Sequence, residues 1–282
     1  MPDLFRPPPS ERAVTLWWLG QSGFVLAGAE GRVAVDPFLT PLEGRSVPPP
    51  CRPEDLRGLD AVLVTHEHVD HMDLPTLVAA TAGGAGPVVV LPSPVADQAA
   101  AAGVPEARLR PVQPGEEVRL GAGGAVAVHP LAARHGLHAP PARYDFGLEE
   151  SGGLVRYLGY AVAIGGMVLF HSGDALVYDG LAARLRELGV EVGLLPINGR
   201  DHYREAQDIV GNMDEREAAD LAAEAGIHIL VPMHYDMFPH NPGDPGRLVD
   251  YVRRWHPEIS VVVPSVMRGV TLSPVLFPAP PG

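Results

Sequence analysis

Four side chains of the kind that bind metal lie within six positions of one another in the run Thr65-His66-Glu67-His68-Val69-Asp70-His71-Met72-Asp73. An apolar, β-branched stretch over 61–64 precedes them and reads as a buried strand, and 74–80 reads as the start of a helix. The H-x-H-x-D-H run therefore falls at the C-terminal end of a strand, where open α/β sheets place their ligand chemistry. Alternate side chains of extended backbone share a face, so His66, His68 and Asp70 point one way, and a turn at 70–71 returns His71 to them. Imidazoles and a carboxylate converging on one point suit zinc, iron or manganese. The competing reading, surface histidines in a polar loop, needs all four donors to fall together by coincidence.

Composition narrows the partners. A net charge of −13 opposes a nucleic-acid partner, because a phosphate backbone demands a basic surface. All 21 basic residues are arginine, which removes Schiff-base and lysine-base chemistry and leaves arginine, backbone amides or a metal to hold an anion. The single cysteine, Cys51, excludes an internal disulfide and a cysteine-built zinc site. No apolar run reaches the roughly 20 residues of a membrane span, so no membrane partner is expected. The residues at the N-terminus lack a signal peptide's apolar core, which gives an expectation of cytoplasmic location.

The apolar pattern continues as strands and helices in alternation. Residues 14–19 and 23–27 read as a hairpin turned at Gly20-Gln21-Ser22, followed by a strand over 32–35 that ends at Asp36-Pro37. A proline-rich loop over 40–53 is of the kind that borders an active site. A strand over 87–92 and an alanine-rich helix over 95–102 follow the metal-type run. A second half contains strands over 125–129, 160–164, 167–170, 192–196 and 227–231, with amphipathic helices over 180–188 and 214–225.

The H-x-H-x-D-H run resembles the signature of the metallo-β-lactamase superfamily, and the resemblance extends from about residue 14 to about residue 270. Its later ligands correspond to His135 in Ala133-Arg134-His135-Gly136, Asp174 in Phe170-His171-Ser172-Gly173-Asp174 and His234 in Val231-Pro232-Met233-His234-Tyr235. The resemblance implies an α/β fold, a four-layer αββα sandwich with a ββαβαβα plan in each half. Length and the order of elements fit one domain over 1–282, with 1–12 and the proline-rich 274–282 as flexible termini. The resemblance further implies two divalent metal ions, zinc or manganese with iron as a further option. His66, His68 and His135 would hold one, Asp70, His71 and His234 the other, and Asp174 would bridge them. Ser172-Gly173-Asp174 also has turn chemistry, and His129 and His138 lie close to His135, so those two assignments retain alternatives. A water shared by two dications ionises near neutral pH and becomes a nucleophile, and Asp70 is placed to orient it and accept its proton.

A finer resemblance, to the L-ascorbate-6-phosphate lactonase group, rests on Trp17-Trp18-Leu19-Gly20-Gln21-Ser22-Gly23-Phe24, Asp36-Pro37-Phe38 and His234-Tyr235-Asp236-Met237-Phe238. Leu195-Pro196-Ile197-Asn198-Gly199-Arg200-Asp201 and Ile209-Val210-Gly211-Asn212-Met213 carry it further. It implies a cytoplasmic metal-dependent hydrolase that opens a small anionic lactone or similar ester. A phosphodiesterase acting on a small phosphoester is the alternative within the class, and a non-catalytic metal-binding or regulatory protein is the alternative outside it. All seven ligand positions are filled, which favours the enzyme. For an anionic substrate, Arg200 is the expected cation, with Asn198 and Tyr235 as further hydrogen-bonding groups. Asp36 and His171 are expected to orient ligands from behind. Homo-oligomerisation is left open.

Overall fold

The structure is a computed structural model and describes residues 4–8, 10–84, 86–136 and 153–274. Of the terminal segments expected to be flexible, residues 1–3, 9 and 275–282 lie outside these residues, as does His138. Two seven-stranded mixed sheets face each other. The first contains β1 (Val14–Gly20), β2 (Gly23–Gly28), β3 (Gly31–Val35), β4 (Ala61–Leu63), β5 (Val88–Pro92), β6 (Leu109–Val112) and β14 (Val270–Leu272), in the order β14-β1-β2-β3-β4-β5-β6. The second contains β7 (Val118–Leu120), β8 (Val126–Ala132), β9 (Leu158–Ile164), β10 (Met167–His171), β11 (Val192–Pro196), β12 (Ile229–Met233) and β13 (Ser260–Val261), in the order β13-β12-β11-β10-β9-β8-β7. Helices α1 (Leu74–Thr81) and α2 (Ala96–Ala102) accompany the first sheet. Helices α3 (Leu181–Glu187), α4 (His202–Glu205), α5 (Glu215–Ala225) and α6 (Pro245–Trp255) fall in the second half.

Alternation along the strands produces the layers. In β1, Leu16 and Trp18 enter the core between the sheets, whereas Trp17 and Leu19 enter the core under α1 and α2. In the second sheet Tyr160, Val162 and Leu194 face inward, whereas Ala161, Phe170 and Leu195 pack with Leu185 of α3, Leu221 of α5 and Leu248 of α6. Strands buried on both faces are predominantly apolar, as parallel and doubly covered sheets require. The four-layer α/β/β/α arrangement expected from the sequence is the arrangement found.

Several elements differ from the sequence reading. The strand expected at 227–231 begins two residues later and runs to Met233, because parallel pairing with β11 extends from Val192↔Ile229 to Pro196↔Met233. The strand expected at 125–129 continues to Ala132 through pairing with β9. Helix α6 escaped the pattern reading although Asp244 caps it and Pro245 opens it, a start signal present in the sequence. The short strands β6, β7, β13 and β14 carry too few residues for their periodicity to stand out, and pairing with neighbours defines them. Among the described residues no helix is long and apolar enough to cross a membrane.

Candidate metal centre

The strand ends bring the predicted ligands together. Beyond β4 the backbone stays extended, with the Val64 amide donating to the Val90 carbonyl (2.8 Å) and the Leu158 amide to the Thr65 carbonyl (2.9 Å), which delivers His66 between the sheets. The His71 and Met72 amides then both donate to the His68 carbonyl, at 2.9 and 2.7 Å, and this turn brings His71 back beside His66. Their rings lie 4.1 Å apart. His135 follows β8, and the Leu176 amide donates to the Arg134 carbonyl (2.7 Å), so the His135 and Asp174 segments run side by side. His234 follows β12 in a left-handed conformation (φ 59°), with its amide donating to the Gln21 carbonyl at 3.1 Å.

Two groups of donor atoms result, one from His66, His68, His135 and Asp174 and the other from Asp70, His71 and His234, each with all its atoms within 4.8 Å of one another. Asp174 faces both. Its Oδ2 lies 3.5 Å from His135 Nε2 and 3.3 Å from His234 Nε2, and its Oδ1 lies 3.2 Å from His71 Nε2. Ligands of a tetrahedral zinc at about 2.0–2.1 Å stand roughly 3.3–3.4 Å apart, so these spacings fit cations. His66, His71, His135, Asp174 and His234 are buried, whereas Asp70 is 15% exposed and Val69 beside it is 52% exposed. The centre thus opens toward solvent on the Asp70 side.

Hydrogen bonds behind the ligands fix their tautomers. Asp36 Oδ2 accepts from His71 Nδ1 (2.7 Å) and from the Thr65 hydroxyl (2.6 Å), and its Oδ1 accepts from the Thr65 amide (2.8 Å). With its proton committed to Asp36, the Thr65 hydroxyl accepts from His66 Nδ1 at 3.0 Å. Both rings therefore carry hydrogen on Nδ1 and turn Nε2 toward the centre, where those atoms and Asp174 Oδ1 are buried without a hydrogen-bond partner. A cation is what satisfies buried donor atoms of this kind.

Electrostatics divide the same way. Burial, reinforced by His71, His68 and His135, holds His66 well below its ordinary pKa. Burial also takes His135 down to about 3, against the pull of Asp174. For His234, burial is outweighed by Asp174 and Asp70, which push it up to about 9. Asp174 goes the opposite way: burial would raise it, but His234 and His71 keep it well below the carboxylate range. Neutral imidazoles at His66 and His135 stand beside a His71–His234 side that the carboxylates hold protonated, so a divalent ion binding on that side would displace protons.

Other expected residues separate. Asp36 stands behind His71 as the sequence implied. His171 meets backbone and not a ligand carboxylate: its Nε2 donates to the Ser22 carbonyl (2.7 Å) and its Nδ1 accepts from the Gly173 amide (3.1 Å). It therefore ties the β1–β2 turn to the turn before Asp174. Arg200 was expected to meet a substrate anion, but its Nη1 and Nη2 donate to the two oxygens of Glu217 at 2.6 and 2.7 Å, a bidentate pair at the start of α5. Asn198 is likewise engaged internally, donating to Asn241 Oδ1 (3.0 Å) and accepting from Asn212 Nδ2 (3.1 Å). Tyr235 stacks its ring on Trp18 at 5.1 Å. His129 lies within β8, 3.9 Å from Glu117 and away from both donor groups.

Sequence reasoning missed Gln21 and Thr65. Gln21 Nε2 donates to Asp70 Oδ2 (2.7 Å) and lies 3.0 Å from His234 Nε2. The available signal was a polar residue in the turn between two largely apolar strands. Thr65 was hidden by its ordinary strand propensity.

Comparison with known proteins agrees with this geometry. The chain is 28% identical over 240 residues to a UPF0173 metal-dependent hydrolase of Aeropyrum pernix, covering 82% of this chain and 86% of that protein. It is 29% identical over 251 residues to a protein of the same description from Rubrobacter xylanophilus, covering 87% and 91%. The metallo hydrolase Igni18 of Ignicoccus hospitalis shares the fold with a TM-score of 0.66 at 23% identity, over 93% of this chain and 99% of that one. Residues 31–235 match the family model described as a beta-lactamase superfamily domain, well over half of the chain. The chain belongs to the metallo-β-lactamase superfamily.

Proposed function

We propose that the protein is a metal-dependent hydrolase that opens a small lactone or related ester. The observation that carries this reading is Asp174, whose two carboxylate oxygens face histidines of both donor groups. The curated relatives described as metal-dependent hydrolases support it. So do the motifs shared with the lactonase group, which give the substrate class. Two divalent cations, zinc or manganese, would supply Lewis acidity toward the carbonyl and lower the pKa of water.

The protein's own residues supply position. His66, His68 and His135 hold one side, and His71 and His234 the other. Asp36 and Thr65 keep His71 and His66 in the tautomers that leave Nε2 free. Asp70, on the solvent side, orients the attacking water and takes its proton. The buried remainder excludes bulk water from the opposite face. With Arg200 and Asn198 engaged internally, substrate charge is left to be read by the cations and by groups near Tyr235.

A panel of lactones, phosphodiesters and phosphomonoesters, offered with zinc or manganese, tests the proposal. Lactone hydrolysis is expected, and Asp70→Ala is expected to lower turnover by orders of magnitude while substrate still binds. Preferential cleavage of phosphodiesters would replace the lactone assignment, and no hydrolysis of any member would overturn it.

A further inference from the structure

The β1–β2 turn does more than connect strands. Gln21 is 1% exposed and adopts a left-handed conformation (φ 52°), unusual for a residue that is not glycine, asparagine or aspartate. Its backbone is held from two sides. The carbonyl accepts from the Trp18 indole (3.0 Å) and from the His234 amide (3.1 Å). Residues from both sheets thus hold one turn residue in a strained conformation. What the strain places is the side-chain amide, whose nitrogen donates to Asp70 Oδ2 at 2.7 Å and lies 3.0 Å from His234 Nε2.

Among the described residues Asp70 is the one carboxylate of the two donor groups at the open side of the centre, and it is otherwise weakly held. Its nearest charged partners, His71 Nε2 and His234 Nε2, stand at 3.6 and 3.5 Å. Asp36 and Thr65 support His71 and His66 from behind, but neither reaches Asp70. We infer that Gln21 is the positioning residue for Asp70, holding its carboxylate toward His71 and His234 and so setting the affinity of the Asp70–His71–His234 group for its cation. The amide suits the task because it donates a hydrogen bond without bringing a charge that would compete for the metal. Its effect is confined to that group, since Gln21 has no bond to His66, His68 or His135 among the described residues. The inference rests on the two-cation reading above, and its test reads metal binding and not hydrolysis.

The chelated protein, titrated calorimetrically with manganese or zinc, should take up two equivalents. Gln21→Met keeps the side-chain volume and loses the donor. Gln21→Asn keeps an amide that suits the left-handed backbone but falls one methylene short of Asp70. Both substitutions are expected to weaken the second equivalent about 10–100-fold and leave the first unchanged. Melting of the metal-free variants should match that of the wild-type protein. Unchanged affinity of the second equivalent in both variants would overturn the inference. So would equal weakening of both equivalents together with a lower melting temperature, which would make Gln21 a support of the hairpin only. A wild-type protein that binds only one equivalent would overturn the two-cation reading itself, a separate result.

Discussion

At the scale of single residues, the centre depends as much on what stands behind the ligands as on the ligands. Asp36 takes a strained conformation (φ 45°) to accept from His71 and from both donors of Thr65. Asp36→Asn should weaken metal binding about 10–100-fold, because an amide can offer a hydrogen where a carboxylate only accepts. Isothermal titration would read that loss. Gly173 is a second dependence. At φ 60°, a Cβ there would come 2.8 Å from the Leu158 carbonyl oxygen and 2.8 Å from Thr65 Cβ, so Gly173→Ala should displace Asp174 and lower thermal stability and metal content together. Ligand identity was legible in the sequence because His and Asp at strand ends have few structural reasons to cluster. Their supports were less legible: Thr65 and Gln21 act through backbone geometry that no spacing reveals. Arg200 misled because a charged residue in a loop near the site has the same appearance whether it reads a substrate or pairs with Glu217.

At the scale of elements, two caps organise the approach to the site. Asp73 caps α1 and also accepts from the Leu39 amide (2.8 Å), the Thr40 amide (2.7 Å) and the Thr40 and Thr76 hydroxyls (2.6 and 2.7 Å). It joins the proline-rich loop to the helix that follows the metal-type run. Asp73→Ala should cost about 2–4 kcal/mol, the loss of a cap together with buried charged hydrogen bonds, measurable by denaturant unfolding. The second cap is at α5, where Glu217 completes a capping box with Asp214 and receives Arg200. The Arg200 hydrogen bonds hold the Glu217 carboxyl below its ordinary 4.5. A depressed carboxylate contributes stability above its unfolded pKa and loses it as pH falls through the folded one. Melting temperature should therefore fall between about pH 5 and pH 3, and Glu217→Gln should flatten part of that decline. The main strands and α1, α2, α3 and α5 were readable from periodicity. The extension of β8 and β12 and the short edge strands were not, because pairing across the sheet decides where they begin and end.

At the scale of the whole molecule, the two sheets share one inner core, with Leu16, Trp18 and Phe24 of the first meeting Tyr160, Leu169 and Leu194 of the second. Neither sheet can leave without exposing that surface, so the metal-free protein should unfold in a single transition, coincident by circular dichroism and tryptophan fluorescence. Two separated transitions would divide the chain into independent units. The centre lies where strand ends of both sheets meet, so each donor group draws on both halves of the fold: His66 and His68 with His135 and Asp174, and Asp70 and His71 with His234. Cation binding should therefore stabilise the molecule as a whole, by about 2.7 kcal/mol at a free concentration one hundred times Kd. This shared centre should perform hydrolysis only when its cations are in place. That dependence is tested most directly by stripping the protein with chelator, restoring manganese or zinc in measured steps and following lactone hydrolysis against bound metal. No turnover is expected in the stripped protein, and activity should rise to saturation at two ions per chain. Full activity in protein shown by elemental analysis to be metal-free would contradict that dependence.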